Sequence, residues 1–292
     1  MSIAEALPKT SNSLDDSNPN SFIVSQDWLE ANLQNPNLRI IQVSGEKYFY
    51  DFHIPGAVLL PYNTIVQKSN GALGARATEE KLIEIFSQLG IGPQTQVLAY
   101  DLAGGADSGR LIWTLATMGH TGGGMILDGG LGRWYEEKRP MEQKITEINP
   151  VKFISRPDNS WDVSAEEVDE LSQSDWDGVI IDVRTSKEYT GKTISSPRGH
   201  INGAYHFEWT QTLRSKSDSR LLDIDQIREM LKKVGVENSE QEIIVYCESG
   251  HRASQSWVLL RHLGFKKVRL FAGSISQWRS MGLPVVPGVN PS

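Results

Sequence analysis

The chain has 292 residues, 39% hydrophobic and 22% charged, with 36 acidic against 29 basic side chains and a formal net charge of −7. That length accommodates two domains, the composition is that of a globular protein with a core, and the acidic balance argues against a nucleic-acid partner, which needs a basic face. A single cysteine rules out an intramolecular disulfide, and no run of about 18 apolar residues exists to span a membrane, so a reducing, cytoplasmic setting is expected.

In chain order, residues 1–20 are polar and slightly acidic and are expected to form a disordered lead-in without the apolar core of a secretory signal. Residues 21–140 and 162–288 read as two copies of one unit. His53-Ile54-Pro55-Gly56-Ala57 recurs as His200-Ile201-Asn202-Gly203-Ala204. The run ending Val97-Leu98-Ala99-Tyr100-Asp101 recurs as Ile243-Ile244-Val245-Tyr246-Cys247. Leu127-Asp128-Gly129-Gly130 with Trp134 recurs as Phe271-Ala272-Gly273-Ser274 with Trp278. Kept order and near-constant separation indicate a tandem duplication. Between the copies, residues 141–161 read as a linker, with Pro150 and Pro157 bracketing a stretch without periodicity.

In the second copy, Ser164 with Glu167 predicts a capping box. Residues 179–183, 243–246 and 267–271 predict buried strands, and 225–234 and 253–263 predict helices. Strands alternating with helices predict an α/β fold, each copy a mainly parallel sheet flanked by helices.

Tyr246-Cys247-Glu248-Ser249-Gly250-His251-Arg252-Ala253 places the cysteine where a buried strand turns into a helix. Ligands bind at the carboxyl ends of such strands. A tight loop lets backbone N–H groups converge into an anion-binding nest, and the helix adds its positive end. Those surroundings lower a thiol pKa and create a nucleophilic thiolate. The plainer reading is a buried structural thiol, the usual fate of a lone cysteine.

Taken together, His-Ile-x-Gly-Ala in each copy, Asp182-Val183-Arg184 with Glu188-Tyr189, the Tyr246-Cys247 loop and the Gly273…Trp278 ending resemble the two-domain rhodaneses, the thiosulfate and mercaptopyruvate sulfurtransferases. The resemblance covers about residues 20 to 288. It implies two rhodanese-like domains with only the second active, a persulfide on Cys247, no metal and no organic cofactor. The implied partners are a small sulfur donor, thiosulfate or 3-mercaptopyruvate, and a thiol or cyanide acceptor. Thiosulfate is the favoured donor.

The resemblance also implies roles around the cysteine. Arg184 matches the arginine of a D-x-R motif in the substrate pocket, and its planar fork suits an oxyanion or carboxylate. Asp182 is expected to anchor its loop through backbone N–H groups. Arg198 adds charge at the entrance, and Trp209 matches an aromatic lining the cleft, with a core role equally open. Arg252 either caps the loop or binds substrate. His251 either contacts substrate or tunes charge. His200 is expected to be structural. Glu248 departs from the C-R-K-G-V-T loop of animal-type thiosulfate enzymes, Ser249 agrees with the C-G-S-G-V-T loop of mercaptopyruvate enzymes, and His251-Arg252 resembles bacterial thiosulfate-type members.

The first copy has Asp101 in place of the cysteine and Gln42-Val43-Ser44 in place of Asp182-Val183-Arg184. It is expected to be chemically inert and structurally required. Gly191-Lys192-Thr193 lacks the preceding glycine of a P-loop and reads as a surface turn, and Gly104-Gly105 with Gly109 reads as a degenerate site. A cysteine phosphatase has five residues between cysteine and arginine, whereas Cys247 and Arg252 have four. A binding-only module would lack the cysteine altogether.

Overall fold

A computed structural model describes residues 14, 16–18, 21–192 and 199–289. Arg198, Thr193 and most of the expected N-terminal lead-in lie outside them.

The first half contains β1 (Ile23–Val24), α1 (Gln26–Asn32), β2 (Leu38–Val43), α2 (Glu46–Asp51), β3 (Val58–Leu60), β4 (Val66–Ser69), β5 (Ala72–Arg76), α3 (Glu79–Gln88), β6 (Gln96–Tyr100), α4 (Ala106–Thr117), β7 (Gly124–Leu127) and α5 (Gly130–Glu136). Its sheet runs β1-β7-β6-β2-β3, every pairing parallel. Helices cover both faces, so β6 is an unbroken apolar run with Val97 to Tyr100 all buried. The second half contains α6 (Ala165–Ser172), β8 (Val179–Asp182), α7 (Ser186–Tyr189), β9 (Tyr205–His206), α8 (Ile224–Lys232), β10 (Glu242–Tyr246), α9 (His251–His262), β11 (Lys267–Leu270) and α10 (Ser274–Ser280). Its parallel sheet runs β11-β10-β8-β9, and a bridge from Asp162 to Leu270 stands where β1 stands in the first half. The duplicated α/β architecture is therefore realised in both halves. No helix among the described residues is long and apolar enough to cross a membrane.

Local differences from expectation have local causes. Ser164 does cap α6, accepting from the Glu167 N–H at 3.1 Å, but Glu167 reaches across to Arg269. The reciprocal capping box forms instead at Thr185 and Glu188, opening α7.

The halves meet where α4 lies across α9. Gly109 makes that closeness possible: a Cβ there would sit 3.0 Å from the Ser254 carbonyl group. A continuous cluster of buried side chains runs through the contact, with Leu111, Ile112 and Trp113 of α4 joined to Trp257, Val258 and Leu259 of α9. Burying each such side chain stabilises by about 1.5–3 kcal/mol. This explains why α9 is buried on nearly all sides from Ala253 to Leu260.

Each half also covers the other's loop. The β4–β5 hairpin of the first half reaches over the turn after β10: the Leu73 N–H donates to Ser276 Oγ at 3.1 Å, and Gly74 is so close to the Ser249 carbonyl that a Cβ would fall 2.2 Å from it. In return the segment bridged at Leu213 and Leu221 reaches over the turn after β6, with Leu213 against Gly104, and the Leu221 N–H donates at 2.8 Å to Oδ1 of Asp128, just after β7.

Candidate active site

Cys247 follows the last residue of β10 and is completely buried. Its N–H donates to Ser274 Oγ at 3.1 Å, its carbonyl accepts from the Ile275 N–H at 3.1 Å, and the Glu248 carbonyl accepts from the Ser276 N–H at 3.1 Å. The start of α10 therefore fastens the loop. Ser274 holds a left-handed backbone, φ 52°, that costs a non-glycine residue about 1–3 kcal/mol. Its hydroxyl donates to the Phe271 carbonyl at 2.8 Å while accepting from Cys247. The loop ends at Gly250, φ 76°, which caps the twelve-residue helix α9. A Cβ at Gly250 would meet the Ala272 carbonyl at 2.6 Å and Arg110 Nη1 at 2.8 Å, so the turn admits only glycine there.

The equivalent loop of the first half shows what this turn holds. The buried Asp101 carboxylate accepts the N–H groups of Ala103 (2.9 Å), Gly105 (3.0 Å) and Ser108 (2.8 Å), and the Ser108 hydroxyl at 2.8 Å. Burial pushes the Asp101 carboxyl up, and these hydrogen bonds oppose it. The first turn is an anion nest filled by its own side chain. The Cys247 turn follows the same strand–turn–helix plan and also closes on a left-handed glycine. It carries sulfur where the other carries carboxylate.

Around Cys247 the charges come from both halves. Arg252 makes a double ion pair with Glu188, Nη1 and Nη2 each 2.8 Å from a carboxylate oxygen. Burial raises the Glu188 carboxyl, but the Arg252 and Thr185 hydrogen bonds overcome it and hold the group down at about 2. His251 Nε2 lies 2.6 Å from Asp107 Oδ1 on α4, and its ring stands 4.8 Å from that of Tyr62. Arg252, Arg110 and Tyr62 all lie within electrostatic reach of Cys247. Burial pushes the Tyr62 hydroxyl up to about 12, so it stays protonated near neutrality.

Residues 25–137 and 164–281 each match the rhodanese-like domain family. The chain belongs to the rhodanese family. Among other rhodanese relatives, a thiosulfate sulfurtransferase of Azotobacter vinelandii is 30% identical, covering 86% of this chain and 91% of its own length. SseA of Escherichia coli, whose structure is described under the fold and mechanism of 3-mercaptopyruvate sulfotransferases, is 25% identical with a TM-score of 0.76, covering 87% of this chain and 98% of SseA. The wild-type structure of EanB, 20% identical with a TM-score of 0.77, covers 88% of this chain, which spans 65% of EanB; that likeness concerns the fold alone.

Within this rhodanese, the residues singled out from sequence divide into two groups. Cys247, Glu248, Ser249, Gly250, His251 and Arg252 form one turn. The others are placed differently. Arg184 is fully buried, its Nε within 3.0 Å and its Nη2 within 2.6 Å of the Asp182 carboxylate, with Nη2 also donating to the Gly199 carbonyl at 2.8 Å. Burial alone would lower its pKa, but the Asp182 carboxylate outweighs burial and raises it. Asp182 accepts the Arg184 backbone N–H at 2.9 Å and hydrogen-bonds the Tyr246 hydroxyl. Trp209 turns toward the opposite half: its ring lies about 3.2 Å from the Cβ position of Gly104, and it lines a cavity of about 600 Å³ over the Asp101 loop with Leu213 and Arg214. His200 stacks on Tyr189, centroids 3.7 Å apart, and its Nδ1–H donates to the Tyr189 carbonyl, a core arrangement that His53 repeats with Phe49.

Sequence reading missed Ser274, Asp107, Tyr62 and Arg110. Ser274 could have been found, because it replaces Gly130 of the other copy at a position with φ 55°. The other three approach Cys247 only through the packing of one half on the other.

Proposed function

We propose that this protein is a sulfurtransferase that moves a sulfane sulfur from thiosulfate to a thiol or cyanide through a persulfide on Cys247. The observation that carries the reading is the position of the chain's sole cysteine. It stands at the carboxyl end of β10, in a turn whose counterpart in the first half is an occupied anion nest. In the first step the Cys247 thiolate attacks the outer sulfur of thiosulfate. The new S–S bond forms as the bond to the sulfonate sulfur breaks, and sulfite leaves with the electron pair. In the second step the acceptor attacks the terminal sulfur, the S–S bond breaks and the thiolate returns. Dividing the transfer into two displacements lowers each barrier. Nest N–H groups and the positive end of α9 stabilise the anion in both states.

Complete burial of Cys247 keeps a persulfide away from bulk water and from stray thiols. The Arg252–Glu188 pair fixes the start of α9 beside the loop. Thiosulfate as donor is supported by the name of the Azotobacter vinelandii relative and by the His251-Arg252 end of the loop. Ser249 and the likeness to SseA favour 3-mercaptopyruvate as the second reading.

The test is direct. Incubation with thiosulfate should add one sulfur atom to the intact protein, removable by a reducing thiol, and Cys247→Ser should abolish both loading and transfer without unfolding the chain. Transfer surviving in the serine variant would sink the reading. A higher kcat/KM with 3-mercaptopyruvate than with thiosulfate would reassign the donor.

A further inference from the structure

Arg110 is a buried cation of the first half. It lies on α4 and is 0% exposed. One amine, Nη2, donates to the Gly74 carbonyl at 2.6 Å, and the guanidinium lies over the Trp113 ring at 4.4 Å. Its Nε and Nη1 are buried without a hydrogen-bond partner. No ion pair among the described residues includes it. Donors left like this cost about 1–3 kcal/mol each, and more when charged, so their persistence calls for an occupant.

The direction of the unused donors is informative. Nη1 lies 2.8 Å from the Cβ position of Gly250, at the turn that carries Cys247, and Arg110 is within electrostatic reach of the sulfur. The Tyr62 hydroxyl is held protonated on one side. On the other, Asp162 is buried, its carboxyl raised by burial and drawn down by hydrogen bonds from Val163 and Ala272 and by the charge of Arg110. Arg76 adds a second positive charge, Arg252 is neutralised by Glu188, and Asp107 is engaged by His251. The group that would complete the balance is an anion at the Cys247 sulfur.

We propose that Arg110 supplies the buried positive charge that balances the sulfur anion of Cys247, so that the first half contributes a residue to the sulfur-transfer site. This rests on Cys247 as the sulfur-carrying residue. It assigns Arg110 to both anionic states, the resting thiolate and the persulfide. The second copy has Gln255 at the matching place on α9, which carries no charge. The cation therefore belongs to the half without a cysteine and serves the half that has one.

The experiment is a thiolate titration by ultraviolet absorbance, read as the difference between each full-length protein and its Cys247→Ser counterpart. Arg110→Gln should raise the titration midpoint by about one pH unit or more, since a nearby opposite charge is lost. Arg110→Lys should keep most of the wild-type midpoint. A role confined to anchoring Gly74 would move neither. A folded Arg110→Gln protein titrating at the wild-type midpoint overturns the proposal. If that variant does not fold, Arg110→Met takes its place in the same titration, and a folded Arg110→Met protein at the wild-type midpoint overturns the proposal. Neither titration uses a sulfur donor, so a failure of sulfur transfer would refute the proposed function and the persulfide part of this assignment, and leave the pairing of Arg110 with the resting thiolate standing.

Discussion

Replacing Arg184 by methionine separates a substrate contact from a structural tie. In the structure both members of the Arg184–Asp182 pair are 0% exposed and the closest N···O distance is 2.6 Å. Met at position 184 keeps much of the volume but removes the guanidinium. The Asp182 carboxylate then retains a backbone N–H and the Tyr246 hydroxyl, and the Gly199 carbonyl loses its donor. Removing one partner of a buried pair costs about 3–5 kcal/mol, because a charge is left uncompensated. With a urea dependence of about 2 kcal/mol per molar, the unfolding midpoint of the second half should fall by roughly 2 M. Tryptophan fluorescence during urea titration reads this, with eight tryptophans available, and donor kinetics at low temperature read the rest. The folded fraction of Arg184→Met should bind donor with a KM close to wild type. A wild-type unfolding midpoint combined with a much larger KM would return Arg184 to the substrate site and refute the structural reasoning.

Two further outcomes follow from the charges. Glu188 has its carboxyl held down at about 2, from an ordinary 4.5, by Arg252 and Thr185 against the opposing effect of burial. A depressed carboxyl contributes stability that is present above its unfolded pKa and lost as pH falls through its folded one. Glu188→Gln should therefore be less stable than wild type near neutrality by about 1 kcal/mol, with the gap closing between pH 4.5 and 2; a gap constant over that range in urea titrations would contradict it. Asp101→Ala should lower the stability of the first half by about 2–3 kcal/mol, since several charge-assisted hydrogen bonds leave buried donors behind, while turnover well below the melting transition stays nearly unchanged. A large loss of kcat in the folded Asp101 variant would show that this loop takes part in transfer.

Much of the architecture was readable because the evidence for it is local. A parallel strand buried on both faces must be an apolar run, and residues 179–183, 243–246 and 267–271 each form one to within a residue. Elements too short to show a period were not readable: four-residue α7 and two-residue β9 have none. The β4–β5 hairpin did carry a signal that went unread, because Asn70 and Gly71 both take positive φ, as the tight turn of Asn-Gly requires. In the site, Cys247 was legible from the strand–Gly–helix punctuation. The packing of Arg184 has a geometric reason. Residues two apart at the end of a strand point the same way, so an arginine there can fold back onto the aspartate that precedes it, and D-x-R spacing alone does not reveal which way the guanidinium turns. The contact Trp209 makes was not readable, because its neighbour, Gly104, belongs to the other half.

The same exchange between halves explains why a half without a cysteine persists. In the first half, Asp101 satisfies its own nest, so that turn needs nothing from outside. In the second half the turn carries a sulfur instead, and the groups enclosing it come largely from across the boundary. Gly74 lies on Ser249, Asp107 reaches His251, and Gly109 lets α4 lie against Ser254. With Asp101 in place of a cysteine, the first half still supplies every one of these contacts. A substitution such as Gly109→Leu would push α4 off α9 at a point where even a Cβ would sit only 3.0 Å from the Ser254 and Gln255 backbone. It should therefore damage sulfur transfer from the half without the cysteine, through the position of Arg110 one residue further along the same helix.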